Sequence, residues 1–311
     1  MASSVSSALT TLASFVPSDE TILAVGEMAK SATSLAILGA VSSLAGAWVG
    51  AWAAQRIAER NKKRDEIRAE LRHVNVAIAV AHAICNTGLT FKKQHAAPKM
   101  AALNELHERV LQLRPGATLE ANLDMQHLAP PHFVVEVLQE HLFKHLSLVG
   151  PPLILFAFLR GAIGDLAAMV EARNEQIKTI ESSDWNPKQR VHRYVGLPVD
   201  DTVDRRMADA VRGIYRTCDD VIFMSNAIAT DLEAHQAKLV AEIKKNFSDL
   251  QTPTTEVDFE ESRREGLFPD PSEYAELMRR LKGKAADGDD PKGRKARPWW
   301  WRWVGSYRFH R

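Results

Sequence analysis

Hydrophobic residues recur at threes and fours along most of this chain. Ile67, Leu71, Val74, Ile78, Ala81, Cys85 and Gly88 make one such row. Val211, Ile214, Cys218, Val221, Ser225, Ile228, Leu232, His235 and Leu239 make a longer one. That spacing puts each set on one helical face, so each row predicts a helix packed lengthwise against another. In the first helix Asn86-Thr87-Gly88 is a weak point, and the stretch before Pro98 is expected to end it. The second row predicts one helix from Thr202 to Phe247, roughly 70 Å long at ~1.5 Å per residue. Asp200, Asp201 and Thr202 are its N-cap candidates, and Lys244 and Lys245 suit its C-terminal dipole.

Between the rows, breakers at Arg114-Pro115-Gly116 and Ala129-Pro130-Pro131 predict loops. An apolar pair of helices over 132–149 and 151–180 should meet at Gly150-Pro151-Pro152, with Pro151 in the first turn of the second. The uncharged run 146–159 is too short and too proline-broken for a membrane span, and reads as a buried core helix. Residues 182–199 read as a loop and 251–269 as an acidic linker. Asp270-Pro271-Ser272-Glu273 offers an N-cap, a first-turn Pro and an N3 Glu for a short helix to about Leu281. Alternating β-branched runs are scarce, so the class is all-α.

One stretch is different in kind. Residues 31–55 are 25 in number and carry no charge. As a helix they reach roughly 37 Å, enough for the ~30 Å hydrocarbon core of a bilayer. Arg56, Arg60, Lys62, Lys63, Arg64, Arg68 and Arg72 follow, whereas residues 1–30 hold Asp19, Glu20 and Glu27 against Lys30. The Lys/Arg bias places the C-terminal side in the cytoplasm, and the basic cluster after the apolar run argues against a signal peptide cleaved at Ala51-Trp52-Ala53. The expectation is a single inner-membrane helix continuing into a cytoplasmic bundle of long antiparallel helices, with a partly disordered C-terminal tail. Its parts are an extracytoplasmic segment 1–30, the span 31–55, a helical domain 56–250, a linker 251–297 with a short helix at 271–281, and a tail 298–311.

The net charge of +1 averages unlike segments and identifies no partner. Two cysteines, Cys85 and Cys218, are too few for a disulfide framework, and their places on the two rows mark them as buried. Within the span, Ser42, Gly46, Gly50 and Ala54 form one row of small residues at spacing four, and Gly39, Ser43, Ala47 and Ala51 another. Small residues let helix backbones touch in lipid, so these rows are the expected oligomerisation face. The tail holds Trp299, Trp300, Trp301, Arg302, Trp303 and Arg308. Indoles favour the bilayer interface and guanidinium groups meet lipid phosphates, so this is the expected membrane-surface element.

His141 and His145 share a helix face, but no H-E-x-x-H or C-x-x-C motif accompanies them, so no metal site is assigned. The pairs Asp200-Asp201 and Asp219-Asp220 read as caps and solvated faces. Phosphate-binding glycine loops and the nucleophile elbow are missing as well, so neither catalytic residues nor a cofactor is assigned. Phe91-Lys92-Lys93-Gln94-His95 and Asp219-Asp220-Val221-Ile222-Phe223 have the look of selected sequence without a motif to name. Together these features lead to a non-enzymatic membrane-anchored sensor or effector that self-associates through its span and perturbs the bacterial inner membrane in stress or anti-phage defence. Its expected partners are the lipid bilayer and further copies of itself, with nucleic acid disfavoured. The alternative is a membrane-anchored scaffold whose helical domain recruits a cytosolic protein.

Overall fold

The computed structural model describes residues 32–114, 121–199, 201–247, 257 and 259–283. Helices dominate: α1 (Ala32–Phe91), a π-turn (Lys92–Ala96), α2 (Ala97–Leu111), α3 (Val135–Glu140), a second π-turn (His141–His145), α4 (Pro151–Glu181), α5 (Pro187–Val195), α6 (Arg206–Asn246), α7 (Glu260–Arg264), a 3-10 turn (Pro271–Tyr274) and α8 (Ala275–Gly283). The strands among the described residues, β1 (Pro198–Val199) and β2 (Thr202–Val203), pair antiparallel. The chain divides into two compact units, Met1–Glu66 and Ile67–Arg311.

In the second unit the two sequence rows meet each other. Asn75 accepts a hydrogen bond from Gln236, His82 meets Glu233 at 3.1 Å, and Lys92 meets Asp219, so α6 runs antiparallel to the 67–91 part of α1. α4 lies antiparallel along α6, with Met169 of α4 facing Gly213 of α6. Val74, Ile78 and Ala81 of α1, Leu155, Leu159 and Leu166 of α4, and Cys218, Val221 and Leu232 of α6 form the main core. A smaller cluster joins α2, α5 and the start of α6 through Leu103, Val191, Tyr194 and Met207. Both cysteines are free and buried, and burial pushes their thiols up to about 12.

Several elements depart from the sequence pattern, each for a local reason. Gly88 does not interrupt α1: α6 packs close beside it, and a Cβ there would stand 3.1 Å from Ile222 Cγ1. α1 ends at Phe91, in the stretch before Pro98 as expected, but the helical course carries on past it. The π-turn ahead of it widens the hydrogen-bonding ring, with Ala97 N–H donating to Lys92 O, and Pro98 falls in the first turn of α2, where a missing N–H costs nothing. α6 starts at Arg206 rather than Thr202 because Thr202 and Val203 pair with β1 as a strand, with Asp201 ahead of them at φ 64°. Asp204 accepts from Arg206 N–H in place of the expected caps. Helix α5 lies inside the expected loop 182–199: Asn186 and Gln189 form a reciprocal capping box ahead of Pro187. The helix expected over 132–149 is short, because the chain turns extended at Leu146 after the π-turn. Gly150 at φ 85° then opens α4 with Pro151 in its first turn.

The segment 121–134 is held on α4 by Arg173, which is fully buried and donates to Gln126 O at 2.7 Å and Asp124 O at 2.9 Å. Asn174 exchanges hydrogen bonds with both backbone groups of Leu128. Asp270 caps the 3-10 turn by accepting from Ser272 N–H, as the sequence pattern indicates.

Candidate functional site

Two stretches without a motif in the sequence converge at the first π-turn. Lys92, 2% exposed, donates to Asp219 Oδ1 at 2.5 Å and to Leu267 O at 2.8 Å, and its ammonium sits 4.7 Å from the Tyr215 ring centroid. Lys93, the next residue, pairs with both oxygens of Glu265 at 2.7 Å. One turn further along α6 from Tyr215, Asp220 accepts a hydrogen bond from Tyr274 Oη at 2.8 Å, and the Tyr274 ring stacks on Phe223 with centroids 3.8 Å apart. Asp219 and Asp220 are therefore ligands of a buried cation and a phenol rather than caps on a solvated face. Burial raises both carboxyls above their ordinary values despite these partners, and burial, with the Asp220 charge next, raises the Tyr274 phenol.

Chemically, this cluster is a clasp. Lys92 presents its N–H groups to a carboxylate and a carbonyl and its charge to an aromatic face. The residues it holds are 259–281, a strap inside the stretch 251–297 that the sequence pattern reads as a linker with a short helix. Phe259 packs near His82, Leu267 is buried, and Arg263 lies 4.3 Å over the Phe268 ring. The signal that could have found the clasp is the pairing of a lysine within an apolar row with an Asp-Asp step within the other. A buried lysine needs a buried acid.

A second cluster joins α1 to the other π-turn. His73 Nδ1 lies 3.2 Å from His141 Nδ1, and the His73 and His145 rings stack at 4.1 Å. Beside them Glu70 accepts from Ser147 Oγ and meets His235 Nε2 at 3.0 Å. Burial lowers the His141 pKa, and its two histidine neighbours lower it further. The pair His141 and His145 thus gains a third ring in space, yet no group of His, Cys, Asp or Glu among the described residues is arranged to hold a metal ion.

The small-residue rows lie on α1. Ser42, Ser43, Gly46, Gly50 and Ala54 are exposed, and a Cβ added at Gly46 or Gly50 would meet nothing within 4 Å. Gly39 falls in the helix as well. Large apolar side chains share this exposure: Leu44, Trp48, Val49, Trp52 and Ile57 are 49–73% exposed. The Trp/Arg tail with Trp299, Trp300, Trp301, Arg302, Trp303 and Arg308 lies outside the described residues, as do residues 1–31.

Two described helices, one beginning in α1 and α4 itself, are long and apolar enough to cross a membrane by length and composition. α4 starts only at Pro151, so the run expected as a core helix over 146–159 is helical from there on; Leu155, Phe156 and Leu159 enter the main core, but the rest of the helix is only partly covered. One face packs on α1 and α6, while Ile154, Ala157, Gly161, Gly164 and Ala168 face outward. Its place along α6, a helix with Arg212, Arg216 and Asp209 on its surface, makes α4 a half-covered bundle helix. Comparison with protein-family models, curated proteins and solved structures finds no match.

Proposed function

We propose that this chain is a membrane-anchored, non-enzymatic sensor or effector that self-associates through residues 31–55. Its helical unit would lie in the cytoplasm, and its action would be on the bacterial inner membrane under stress or phage attack. The observation that supports this best is the exposure of Leu44, Trp48, Val49 and Trp52 on an uncharged helical stretch. Such a surface is costly in water at about 25 cal/mol per Å² of apolar area and is at home in lipid. The basic residues that follow support the orientation.

The test is fractionation of the full chain followed by a reporter fused after Arg311. Carbonate-resistant membrane association and activity from a cytoplasm-dependent reporter are expected. Extraction by carbonate would remove the anchor, and activity only from a periplasm-dependent reporter would reverse the orientation. Gly46→Ile with Gly50→Ile should reduce crosslinked oligomers, because each side chain forces the backbones apart. The alternative, a scaffold recruiting a cytosolic protein, draws on the uncovered face of α4. Expression that is harmless to the cell and yields a stable stoichiometric complex would favour it.

A further inference from the structure

We infer that the outward face of α4 pairs in parallel with α4 of a second copy of this chain, giving a dimer contact in the cytoplasmic unit. The inference rests on the anchored, self-associating reading above, since anchoring in one membrane brings two copies to high effective concentration in the same orientation. Ile154, Ala157, Gly161, Gly164 and Ala168 are exposed at alternating spacings of three and four, the a and d positions of a coiled-coil seam. This is not a face shaped by the rest of the fold. Cβ atoms at Gly161 and Gly164 would meet nothing within 4 Å.

What identifies the occupant is the charge pattern beside the seam. Arg160 and Asp165 flank it on opposite sides, at positions g and e. In a parallel pair each g residue faces the e residue five further along on the partner, so Arg160 meets Asp165 of the other copy, twice by symmetry. The same rule brings Leu153 to Phe158, and Ala167 to Ala172. An antiparallel pair in the same seam, with Ala157 level with Ala168 of the partner, would set g beside g and e beside e, leaving Arg160 by Ala167 and Asp165 by Phe158, so neither charge would be matched. Asp165 makes no hydrogen bond or ion pair among the described residues, so its carboxylate is open to such a partner. Arg160 donates to Gln139 at 3.0 Å and keeps further N–H groups. A lipid surface fits less well, because Asp165 and Glu171 lie on or beside the same stripe and anionic headgroups would repel them. Glu171, the next d position, would meet its own copy and ends the seam after Ala168.

The experiment is oxidative crosslinking of the full chain in native membranes, with the buried Cys85 and Cys218 retained. Ala157→Cys should form a covalent dimer, whereas Glu105→Cys, exposed on α2, should not. Arg160→Asp in the Ala157→Cys background should lower the dimer yield about tenfold by replacing two attractions with two repulsions. Adding Asp165→Arg should restore it, which a misfolded variant would not do. No dimer from Ala157→Cys overturns the proposal. So does a dimer only when Ala157→Cys is combined with Ala168→Cys, the antiparallel signature, or shielding of Ala157→Cys from a water-soluble maleimide by lipid. The span is scored separately with Gly46→Ile and Gly50→Ile. If oligomers fall with those changes while Ala157→Cys never crosslinks, the span reading stands and the α4 contact fails. If Ala157→Cys crosslinks persist when the span changes have no effect, the α4 contact stands and the span reading fails.

Discussion

Replacing Lys92 with Met should destabilise the helical unit by about 3–5 kcal/mol, the usual cost of breaking a buried ion pair by removing one partner. Met keeps the volume of the lysine stem, so the loss is electrostatic rather than a cavity. The Asp219 side chain is 14% exposed and would keep a carboxylate without its cation, and Leu267 O would lose its donor. Against a typical total of about 5–15 kcal/mol, this is a large share. The pH dependence follows from Asp219, whose carboxyl burial already raises. Without Lys92 its folded-state pKa rises further. A carboxyl with a raised folded pKa weakens the fold above that pKa and has no such effect below the unfolded value of about 3.9. The deficit should therefore be full at neutral pH and shrink as the pH falls towards that value. Lys92→Met with Asp219→Asn should recover most of the loss, leaving about 1–2 kcal/mol for the unpaired carbonyl. Urea unfolding of the full chain in mild detergent, followed by far-ultraviolet circular dichroism, measures all three variants. A single-variant loss below about 1 kcal/mol, or a double variant no better than the single, would refute the assignment of the clasp as a stabilising ion pair.

Other perturbations probe other joints. Burial pulls the Asp124 carboxyl upward, but hydrogen bonds from Lys99 and Gln126 and the charges of Lys99 and Arg173 hold it below its ordinary value. Its contribution is present above the unfolded pKa and lost as pH falls through the folded one, so Asp124→Asn should lower stability at pH 7 and flatten the acid-unfolding curve below about pH 4. Tyr274→Phe removes the donor to Asp220 while keeping the ring on Phe223, so it should cost about 1–3 kcal/mol and speed proteolysis within 259–281 before the bundle is cut. Asn186→Ala removes one half of the α5 capping box and should cost about 1 kcal/mol in the same unfolding assay. Gly213→Ala places a Cβ 2.8 Å from Met169 Sδ, and pairing it with Met169→Ala should relieve the overpacking part of its cost, about 1–3 kcal/mol.

The periodic rows by themselves determined that this is an all-α chain with two long helices packed on each other, because a repeat of threes and fours buries one face only in a helix. Local chemistry likewise determined Pro151 at the start of α4 and Asp270 as a cap, since caps act over three or four residues. Burial of Cys85 and Cys218 was legible for the same reason as the rows. Other features needed the third dimension. Asn186-Pro187 and Pro98 carried helix-start chemistry that the sequence pattern read as a loop and a stop, because a π-turn and a nine-residue helix leave almost no periodic trace. Gly88 looked like a weakness until the neighbouring helix showed that a Cβ there would crowd Ile222. Lys92 and Asp219 stand 127 residues apart, and His73 and His141 stand 68 apart, so neither cluster exists before α1, α6 and the second π-turn come together. The outer face of α4 shows the limit most clearly. Its sequence is as apolar as a core helix, and only the tertiary packing decided which side is covered, because burial depends on how many neighbours a helix finds and not on its own composition.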